Sequence, residues 1–544
     1  MILESDDMVH EITGGEAVTA ALEALGVRCI FGVPSQHNLA LYDALSRSAR
    51  IRVVGTRHEA GAVHAADGYA RATGELGVAI VSTGPGTANA MNGLYEAGFA
   101  SSPVLLITTQ INRVHLGKNK AFIHDAENQL AMLRTVTRRA ERVLHPHQLF
   151  ETVVAVGRDI VTGRPQPGAV EIPTDLLDAL APAPLHAPLP VRRIAPDAAA
   201  VAGAAALIAG ARRPLLWLGG GCVRSGAEDA VRAFAEHLGA PVVTTLNGRS
   251  ALPSDHPLAV GSATSYPPFR RLLDEADLVL AVGTRFQAVA TGFWSLPLGK
   301  QLVQIDVDAA MISRNYPAAA GVVGDAALAL DALRAAISGG NVDPIFAALG
   351  ATVRDELLAE STRRIGKDHS RLCDILDKTL PRDRNIVCDA TLVGNSWASV
   401  RLPVRDFRGF TYATSLSIGV ALPIAIGAAV GSARRTIAIH GDGGVMLNIG
   451  ELATAVEAKA PLTLIVFNDK GYGVLKMLQK AAGVTPFGVD LHTPDFVALG
   501  QAMGMPAERV ESPDGFAAAL GRSIAIPGPS LIEGDLTKMA PLTL

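Results

Sequence analysis

The chain has 544 residues, of which 49% are hydrophobic and 18% charged, so it can form about three ordinary domains with large buried cores and is not a disordered protein. Its formal net charge of −4 indicates no nucleic-acid partner. No apolar run is long enough to span a membrane, and the acidic start Met1–Asp7 lacks the basic residues of a signal peptide, so we expect a cytoplasmic protein.

The first part of the chain alternates strand-like and helical patterns, which is typical of a parallel sheet covered by helices on both faces. The strand-like runs are Val53-Val54, Val78–Val81 and Val104–Thr108. Between the first two, Glu59 opens an amphipathic helix that we expect to run to about Ala72. The pattern predicts a doubly wound α/β domain over residues 10–180.

Two further α/β domains follow. A proline-rich stretch at residues 180–190 suits an extended, semi-rigid linker, and the second domain is predicted at residues 197–338. A weaker linker at Gly339-Gly340 and a helical stretch lead into a third domain at residues 365–544. The predicted fold class is therefore α/β, with three doubly wound parallel-sheet domains.

The most informative segment lies in the third domain and joins two apolar strands, each followed by a polar loop. Asp442 follows the first strand, in Gly441-Asp442-Gly443-Gly444, and Asp469 follows the second. Because the carboxyl ends of parallel strands meet at one edge of a sheet, both carboxylates reach the place where open α/β sheets bind ligands. Together with the carbonyl of Gly471 they can supply oxygen ligands to Mg²⁺, while Gly443 and Gly444 let the backbone approach phosphates.

This pattern resembles the diphosphate-binding signature of thiamine-diphosphate (ThDP) enzymes, which is Gly-Asp-Gly followed further along by Asn-Asn. Asp469 stands at the second Asn, and its carboxylate is still a good Mg²⁺ ligand. Two other segments resemble the same family, namely the Arg57–Asn89 region with its Arg-His-Glu and Gly-Pro-Gly runs, and Ser417–Ala428. The three segments occur in the family's order and separations, and the resemblance covers essentially the whole chain.

The resemblance implies the group of acetolactate synthases, pyruvate oxidases and benzoylformate decarboxylases, with pyrimidine-binding, central and diphosphate-binding domains. It implies that Glu59 hydrogen-bonds the aminopyrimidine ring of ThDP and drives it toward the imino form that deprotonates the thiazolium. It also implies that Ile418 is the bulky apolar residue that holds the cofactor in its V shape. The other implied cofactor-binding residues are Thr83, Leu416, Gly441, Asp442, Gly443, Gly444, Asn468, Gly471 and Tyr472, and the implied metal ligands are Asp442, Asp469 and Gly471.

The chemistry implied by the resemblance is carbanion catalysis on a 2-oxo acid. The C2 ylid adds to the substrate carbonyl, CO₂ leaves, and the enamine is either protonated to an aldehyde or captured by a second carbonyl compound. Gln36, His37 and His124 are the candidate catalytic residues on the substrate side, since Gln36 stands where pyruvate decarboxylases carry Asp and His124 lies near their histidine pair. For both histidines, an ordinary loop or interface role stays open.

Two reactions stay open as well. Acetolactate synthases carry Gln-Glu where Ile123 and His124 stand, and a Trp where Leu478 stands, so both positions count against that enzyme. The loop is more similar to decarboxylases of longer 2-oxo acids, such as the guanidino-oxopentanoate type. We therefore predict a 2-oxo-acid decarboxylase that releases CO₂ and an aldehyde, with a carboligase of acetolactate-synthase type as the alternative. A non-catalytic ThDP-binding protein is disfavoured because the catalytic Glu and both metal ligands are present.

The resemblance also bears on assembly and on the central domain. In this group the outer domains of two chains face each other, which implies a homodimer or a dimer of dimers whose active sites lie at the subunit interface. The central domain of such proteins holds FAD or ADP, or is empty. In the segment Val282–Gly292, the residues Gln287, Ala288 and Val289 replace the Asp-Asp-Arg of acetolactate synthases, so we favour an empty domain over FAD or ADP.

Overall fold

Three six-stranded parallel sheets form the framework of the protein. The computed structural model describes residues 10–184, 190–298 and 301–542. The chain packs into two compact units, one comprising Met1–Ala70 with Glu75–Arg192 and the other Arg71–Gly74 with Arg193–Leu544. The prediction of three doubly wound α/β domains is confirmed, and each sheet lies inside one of the three predicted ranges. The domain boundaries themselves stay predictions.

The first unit contains one of these sheets, in the order β3-β2-β4-β5-β7-β6, and a small antiparallel pair, β1 with β8. Every residue of β4 and β5 is buried, as expected for strands covered on both faces. The strands are β1 (Glu11–Thr13), β2 (Cys29–Gly32), β3 (Arg52–Gly55), β4 (Gly77–Val81), β5 (Val104–Gln110), β6 (Arg139–Arg142), β7 (Gly168–Pro173) and β8 (Leu180–Pro182). The helices are α1 (Gly14–Ala24), α2 (Leu39–Ser46), α3 (Glu59–Thr73), α4 (Pro85–Phe99), α5 (Gln129–Arg134), α6 (Leu149–Val161) and α7 (Thr174–Asp178).

The linker predicted at residues 180–190 is wrong in its first part. Leu180–Pro182 form β8, which pairs antiparallel with Glu11–Thr13. A two-stranded ribbon accepts proline at a strand end because no ladder hydrogen bond has to be given up there. Residues 185–189 of the predicted linker lie outside the described residues.

A buried carboxylate ties the far side of the first sheet to the loops at its C-terminal edge. Glu171, on β7, is fully buried and accepts hydrogen bonds from Gln110 Nε2 (2.7 Å), Gln129 Nε2 (2.9 Å) and Arg142 Nε (2.8 Å). Gln129 in turn accepts the backbone N–H of Gly84 at 2.7 Å. The turn that follows β4 is therefore held in place by one continuous polar network.

The second unit contains the other two sheets and ends the chain. The central sheet has the order β11-β10-β9-β12-β13-β14, and the third has the order β16-β15-β17-β18-β20-β19. The strands are β9 (Pro214–Leu218), β10 (Val242–Thr244), β11 (Ala259–Gly261), β12 (Leu278–Val282), β13 (Leu302–Asp306), β14 (Ala320–Val323), β15 (Arg384–Cys388), β16 (Phe410–Tyr412), β17 (Arg435–Gly441), β18 (Leu462–Asn468), β19 (Ala507–Val510) and β20 (Ser530–Asp535).

The helices of the second unit cover both sheets. One of them, α13, connects the central domain to the third and is broken at Gly366, whose φ is 75°. The helices are α8 (Ala198–Gly210), α9 (Gly220–Arg224), α10 (Glu228–Leu238), α11 (Pro267–Glu275), α12 (Ala326–Ala336), α13 (Pro344–Thr379), α14 (Ala421–Ser432), α15 (Asp442–Val445), α16 (Glu451–Glu457), α17 (Gly473–Ala481), α18 (Phe496–Ala502) and α19 (Pro513–Ala525), together with a π-helix at Gly394–Ala398. Among the described helices, none is both long and apolar enough to cross a membrane.

The first and third sheets share one strand order, in which the chain starts near the middle and reverses direction after the second strand. The point of reversal lies between β2 and β4 in the first sheet and between β15 and β17 in the third. The loops that leave these strands diverge there and open a crevice, which is where doubly wound proteins bind ligands. The segments singled out in the sequence therefore converge on two equivalent places in the fold.

Replacing Glu171 with Ala should lower the free energy of unfolding by about 3–5 kcal/mol, because Arg142 and two glutamines would lose their buried acceptor. Thermal and urea unfolding would measure the loss. Glu141→Ala, on the adjacent strand, is the matched control, since its ion pair with Arg139 is more than one-third exposed and should contribute no more than about 1 kcal/mol. Similar effects of the two substitutions would contradict the role given to the network.

Candidate active site

A cavity of about 250 Å³ opens at the C-terminal edge of the third sheet, at the point of chain reversal. It is formed by the loops that follow β15, β16, β17 and β18. Most of the residues implied to bind the cofactor or the metal line this one cavity: Leu416, Ile418, Gly441, Asp442, Gly443, Gly444, Asp469, Gly471 and Tyr472. Leu416 and Tyr472, which are 56 positions apart in the sequence, therefore line the same cavity.

Two carboxylates define the polar end of the cavity. Asp442 is buried, and its Oδ2 accepts the N–H of Gly471 at 2.9 Å, whereas its Oδ1 is buried without a hydrogen-bond partner. Burial raises the pKa of Asp442, and burial together with the charge of Asp442 raises the pKa of Asp469 to about 7. Two carboxylates crowded in this way favour a bound cation, which would stabilise both in their ionised forms.

The donor set at this end of the cavity fits Mg²⁺. Within residues 10–184, 190–298 and 301–542, no group of three or more His, Cys, Asp or Glu side chains is placed to hold a metal. A cation between Asp442 and Asp469 would therefore complete its shell with carbonyl, water or phosphate oxygens. Mg²⁺ is usually bound in this manner, by one or two carboxylates together with a phosphate ligand.

The glycines beside Asp442 are required by the protein itself. A Cβ on Gly443 would lie 2.6 Å from the Tyr472 ring, and one on Gly444 would lie 2.6 Å from Asp389 Oδ2. Both distances are too short for any side chain. The Tyr472 ring and the Asp389 carboxylate thus pack directly against this backbone, a close approach that only glycine permits.

Asp389, which the sequence analysis did not single out, holds the next loop. It follows β15, is fully buried, and accepts the N–H groups of Gly419 (2.8 Å) and Val420 (3.1 Å). The loop that carries Ile418 is fixed by these bonds, and Ile418 packs on the buried apolar cluster of α14. That helix begins at Ala421, so Ser417–Val420 form a loop ahead of it.

Two further lining residues were missed, Thr391 and Asn395. Both lie just after β15, and a Cβ on Gly441 would be 3.3 Å from Thr391 Cβ. Asn395 belongs to the π-helix, and the Tyr412 hydroxyl donates a hydrogen bond to its Oδ1. π-Helices are rare and occur mostly at functional sites. To find these residues from the sequence, one would have had to recognise that β15 lies beside β17 at the point of reversal.

Asn468 differs from the other implied cofactor residues. Its side chain is buried, its Nδ2 donates to Glu533 at 2.8 Å, and its Oδ1 accepts the N–H of Lys470 at 3.1 Å. Lys470 has a φ of 61°, a conformation that a lysine rarely adopts. The amide of Asn468 therefore shapes the turn that presents Asp469.

Glu59 forms the centre of a second group of residues, at the point of reversal in the first sheet. It is the first residue of α3, and its Oε2 accepts a hydrogen bond from Asn89 Nδ2 at 3.0 Å. Its Oε1 lies 3.2 Å from the position that a Cβ on Gly86 would take. The Gly84-Pro85-Gly86 turn thus passes directly beside this carboxylate.

The two candidate histidines meet next to the same turn. The rings of His37 and His124 lie 4.9 Å apart, and Ser82 Oγ lies 3.4 Å from His37 Nδ1. Burial, with a further contribution from the charge of His124, lowers the pKa of His37. His124 is exposed and has a φ of 63°. The two imidazoles form one pair, with a neutral buried ring and an accessible one.

The other two candidates in this unit have different surroundings. Gln36 is exposed at the start of a short 3₁₀ helix, Gln36–Asn38. Thr83 is fully buried, and its Oγ1 lies within hydrogen-bond distance of Gln110 Oε1 (3.2 Å), Gln129 Oε1 (3.1 Å) and the His124 carbonyl (3.3 Å). The single proton of the Thr83 hydroxyl is therefore shared among buried acceptors of the protein, two of which are glutamine oxygens.

Three consecutive glycines, Gly219–Gly221, follow β9 in the central domain and have a packing explanation. A Cβ on Gly219 would lie 2.2 Å from the carbonyl oxygen of Gly283, and one on Gly221 would lie 2.6 Å from Gly283 Cα. The loops after β9 and β12 thus pass each other in backbone contact. This backbone contact is sufficient to explain why glycine is needed here, and no bound phosphate has to be invoked.

Comparison with known proteins places the chain in a family. Residues 12–132 match the thiamine pyrophosphate enzyme N-terminal TPP binding domain, residues 201–333 the central domain, and residues 394–534 the C-terminal TPP binding domain. A probable 2-ketoarginine decarboxylase of Pseudomonas aeruginosa is 34% identical over 96% of this chain and 94% of its own length. The chain belongs to the thiamine pyrophosphate enzyme family.

Other relatives of this ThDP enzyme are named acetolactate synthases. A probable acetolactate synthase large subunit of Methanocaldococcus jannaschii is 32% identical over 96% of this chain and 91% of its own length. The chloroplastic acetolactate synthase 1 of Zea mays is 30% identical over 96% and 85%, respectively. The resemblance stated from the three sequence segments is confirmed, as is ThDP as the cofactor of the family.

Replacing Asp469 with Ala should weaken ThDP binding in the presence of Mg²⁺ by roughly 10- to 100-fold, because the cation would lose one of its two carboxylates. Asp469→Asn should bind nearly as well as the wild type, since an amide oxygen can take the same place. Titration calorimetry would measure both affinities. Asp490→Ala is the control, because that exposed carboxylate pairs with Lys476 outside the cavity lining. Wild-type affinity in the Asp469→Ala variant would remove Asp469 from the metal site.

Proposed function

We propose that this ThDP enzyme is a Mg²⁺-dependent decarboxylase that converts a 2-oxo acid larger than pyruvate into CO₂ and an aldehyde. The observation that carries the proposal is the His37–His124 pair beside the turn at Gly84. Ile123 and His124 stand where acetolactate synthases have Gln-Glu. The imidazole of His124 can donate a proton more readily than the Gln and Glu side chains of those enzymes. The similarity to a probable 2-ketoarginine decarboxylase supports a substrate of this size.

In the third domain, Asp442, Asp469 and the carbonyl of Gly471 are proposed to hold Mg²⁺, and through it the diphosphate. Backbone at Gly441, Gly443 and Gly444, the Tyr472 ring, and Asn468 through the turn that it shapes would complete this end of the site. Ile418 would support the cofactor from below, because it packs on the core and faces the cavity. The cofactor, when bound, supplies a nucleophilic carbon and an electron sink.

Glu59 is proposed to hold the proton of the aminopyrimidine ring. Asn89 orients its carboxylate through the 3.0 Å hydrogen bond, and the absence of a side chain at Gly86 lets the turn pass close to it. Its position at the first residue of α3 fixes the backbone from which this carboxylate projects.

The histidine pair is proposed to manage the proton on the substrate side. Because the pKa of His37 is lowered, its ring stays neutral at physiological pH and can accept a hydrogen bond from the Ser82 hydroxyl, 3.4 Å from its Nδ1. His124 is the accessible member and would deliver the proton that ends the reaction as an aldehyde. Gln36, exposed on the same loop as His37, would contact the polar end of the substrate side chain.

We further propose that the protein works in the cytoplasm as a homodimer or a dimer of dimers, with three domains at residues 10–180, 197–338 and 365–544. Each unit exposes apolar side chains that a second copy would cover. In the first unit these are Tyr95 and Phe99, 50% and 40% exposed, and in the second Met446 and Leu447, 41% and 58% exposed. In such an assembly Glu59 of one chain would serve the cofactor held by the other.

A carboligase of acetolactate-synthase type is the second candidate. The two acetolactate synthases described above favour it, since they are nearly as similar to this chain as the decarboxylase is. Two positions disfavour it, the Ile123-His124 pair and Leu478, which is 54% exposed on α17 and lacks the indole of a Trp. Without these groups, a second 2-oxo acid would be bound less well. Protonation to the aldehyde should then be faster than capture by a second 2-oxo acid.

The proposal predicts that a longer or functionalised 2-oxo acid, with a guanidino 2-oxo acid as the first to be tried, has a kcat/KM about tenfold or more above that of pyruvate. Aldehyde should be the main product. Steady-state assays of CO₂ release with product analysis would measure both. The reason is the resemblance, in which Leu478 stands where acetolactate synthases carry a larger Trp, so that a larger donor should fit.

Glu59→Gln is the control variant for this assay. It should keep ThDP affinity, since Glu59 is not among the residues proposed to hold the metal, yet lose both turnover and the exchange of the cofactor C2 proton seen by NMR. Efficient conversion of pyruvate to acetolactate, faster than aldehyde formation from every longer acid, would restore the synthase alternative.

A further inference from the structure

Leu416 has a backbone conformation that leucine rarely adopts. Its φ is 63°, in the left-handed region that suits glycine, and its side chain lines the active-site cavity. Such a residue is strained because its Cβ crowds the following carbonyl. Strain of this kind is kept where the surrounding structure imposes it, and it clusters at functional sites.

The loop around Leu416 imposes this conformation from both sides. Before it, the N–H of Leu416 donates to the Ala413 carbonyl at 3.1 Å, which closes a turn. After it, Asp389 holds the N–H of Gly419, and Asn448 Nδ2 donates to the Gly419 carbonyl at 2.8 Å. A left-handed residue is therefore needed at position 416, and glycine would meet this need without strain.

Packing within the chain does not explain why a leucine stands there. The side chain of Leu416 is 49% exposed, although the loop around it is well ordered by hydrogen bonds. Ile418, two residues on, packs on the core of the third domain, so the cofactor already has its apolar support. What the Leu416 side chain adds is apolar surface on the wall of the cavity.

We propose that Leu416 is a specificity-determining residue, whose side chain contacts the apolar part of the 2-oxo acid and limits the length of the acid that fits. This inference rests on the proposed function. The residue does not act on the reacting atoms; it closes one side of the space that the substrate side chain occupies. Shortening it should enlarge that space next to the carboxylates that anchor the cofactor.

The test compares two variants, Leu416→Gly and Leu416→Ala, in the full-length protein loaded with ThDP and Mg²⁺. Each is assayed with straight-chain 2-oxo acids of increasing length. We expect both variants to raise the ratio of kcat/KM for the longest acid to that for the shortest by about tenfold. A shift in Leu416→Gly alone would show that backbone freedom, not the lost wall, is the cause, and would overturn the inference.

Ala433→Gly is the matched control for strain relief. Ala433 has a φ of 56° at the end of α14, is exposed, and does not line the cavity. This variant should keep the wild-type length preference. Melting temperatures within about 3 °C of the wild type would show that all three variants are folded.

The remaining outcomes separate this inference from the proposed function. An unchanged length preference in both Leu416 variants, with an active wild type, would overturn the inference alone. An unchanged preference with weakened ThDP binding, measured by calorimetry, would place the side chain against the cofactor and also overturn it. If the wild type decarboxylates no 2-oxo acid, the proposed function fails and this inference with it.

Discussion

A buried carboxylate oxygen without a protein partner is the constraint around which the third domain is organised. Leaving Asp442 Oδ1 in this state would cost several kcal/mol if the group stayed ionised and unpaired. Asp469 adds a second carboxylate at the same place, and the raised pKa of both residues reflects their shared burial. A divalent cation, as proposed for this site, would resolve this conflict, and a diphosphate would then have a positive charge to bind.

The doubly wound fold explains why the two groups of functional residues look alike. The first and third sheets reverse direction at equivalent strands, so each opens a crevice at the same relative position. Glycine turns border both crevices, with Gly86 beside Glu59 in one and Gly444 beside Asp389 in the other. The same geometry therefore occurs twice, once beside the proposed proton acceptor and once beside the proposed cation site.

The sequence indicated candidate residues that lie next to recognisable strands and helices. It missed residues whose role depends on tertiary contacts. Asp442 and Asp469 follow recognisable strands, and Glu59 opens a recognisable helix. Asp389 could not be found in this way, because its partners lie thirty residues away in a loop whose course depends on tertiary packing. Thr83 illustrates the opposite case: it lies in a recognisable segment, yet its hydroxyl is occupied by buried glutamines of other elements.

Titration of the wild-type protein with ThDP, once with Mg²⁺ and once with a chelator that removes divalent cations, tests the central claim most directly. If the carboxylates of Asp442 and Asp469 hold a cation that carries the diphosphate, chelation should weaken ThDP binding by about 100-fold or more. Restoring Mg²⁺ should restore the affinity. Equal affinity with and without the chelator would contradict the account, because the diphosphate would then bind beside two carboxylates with no charge to compensate them.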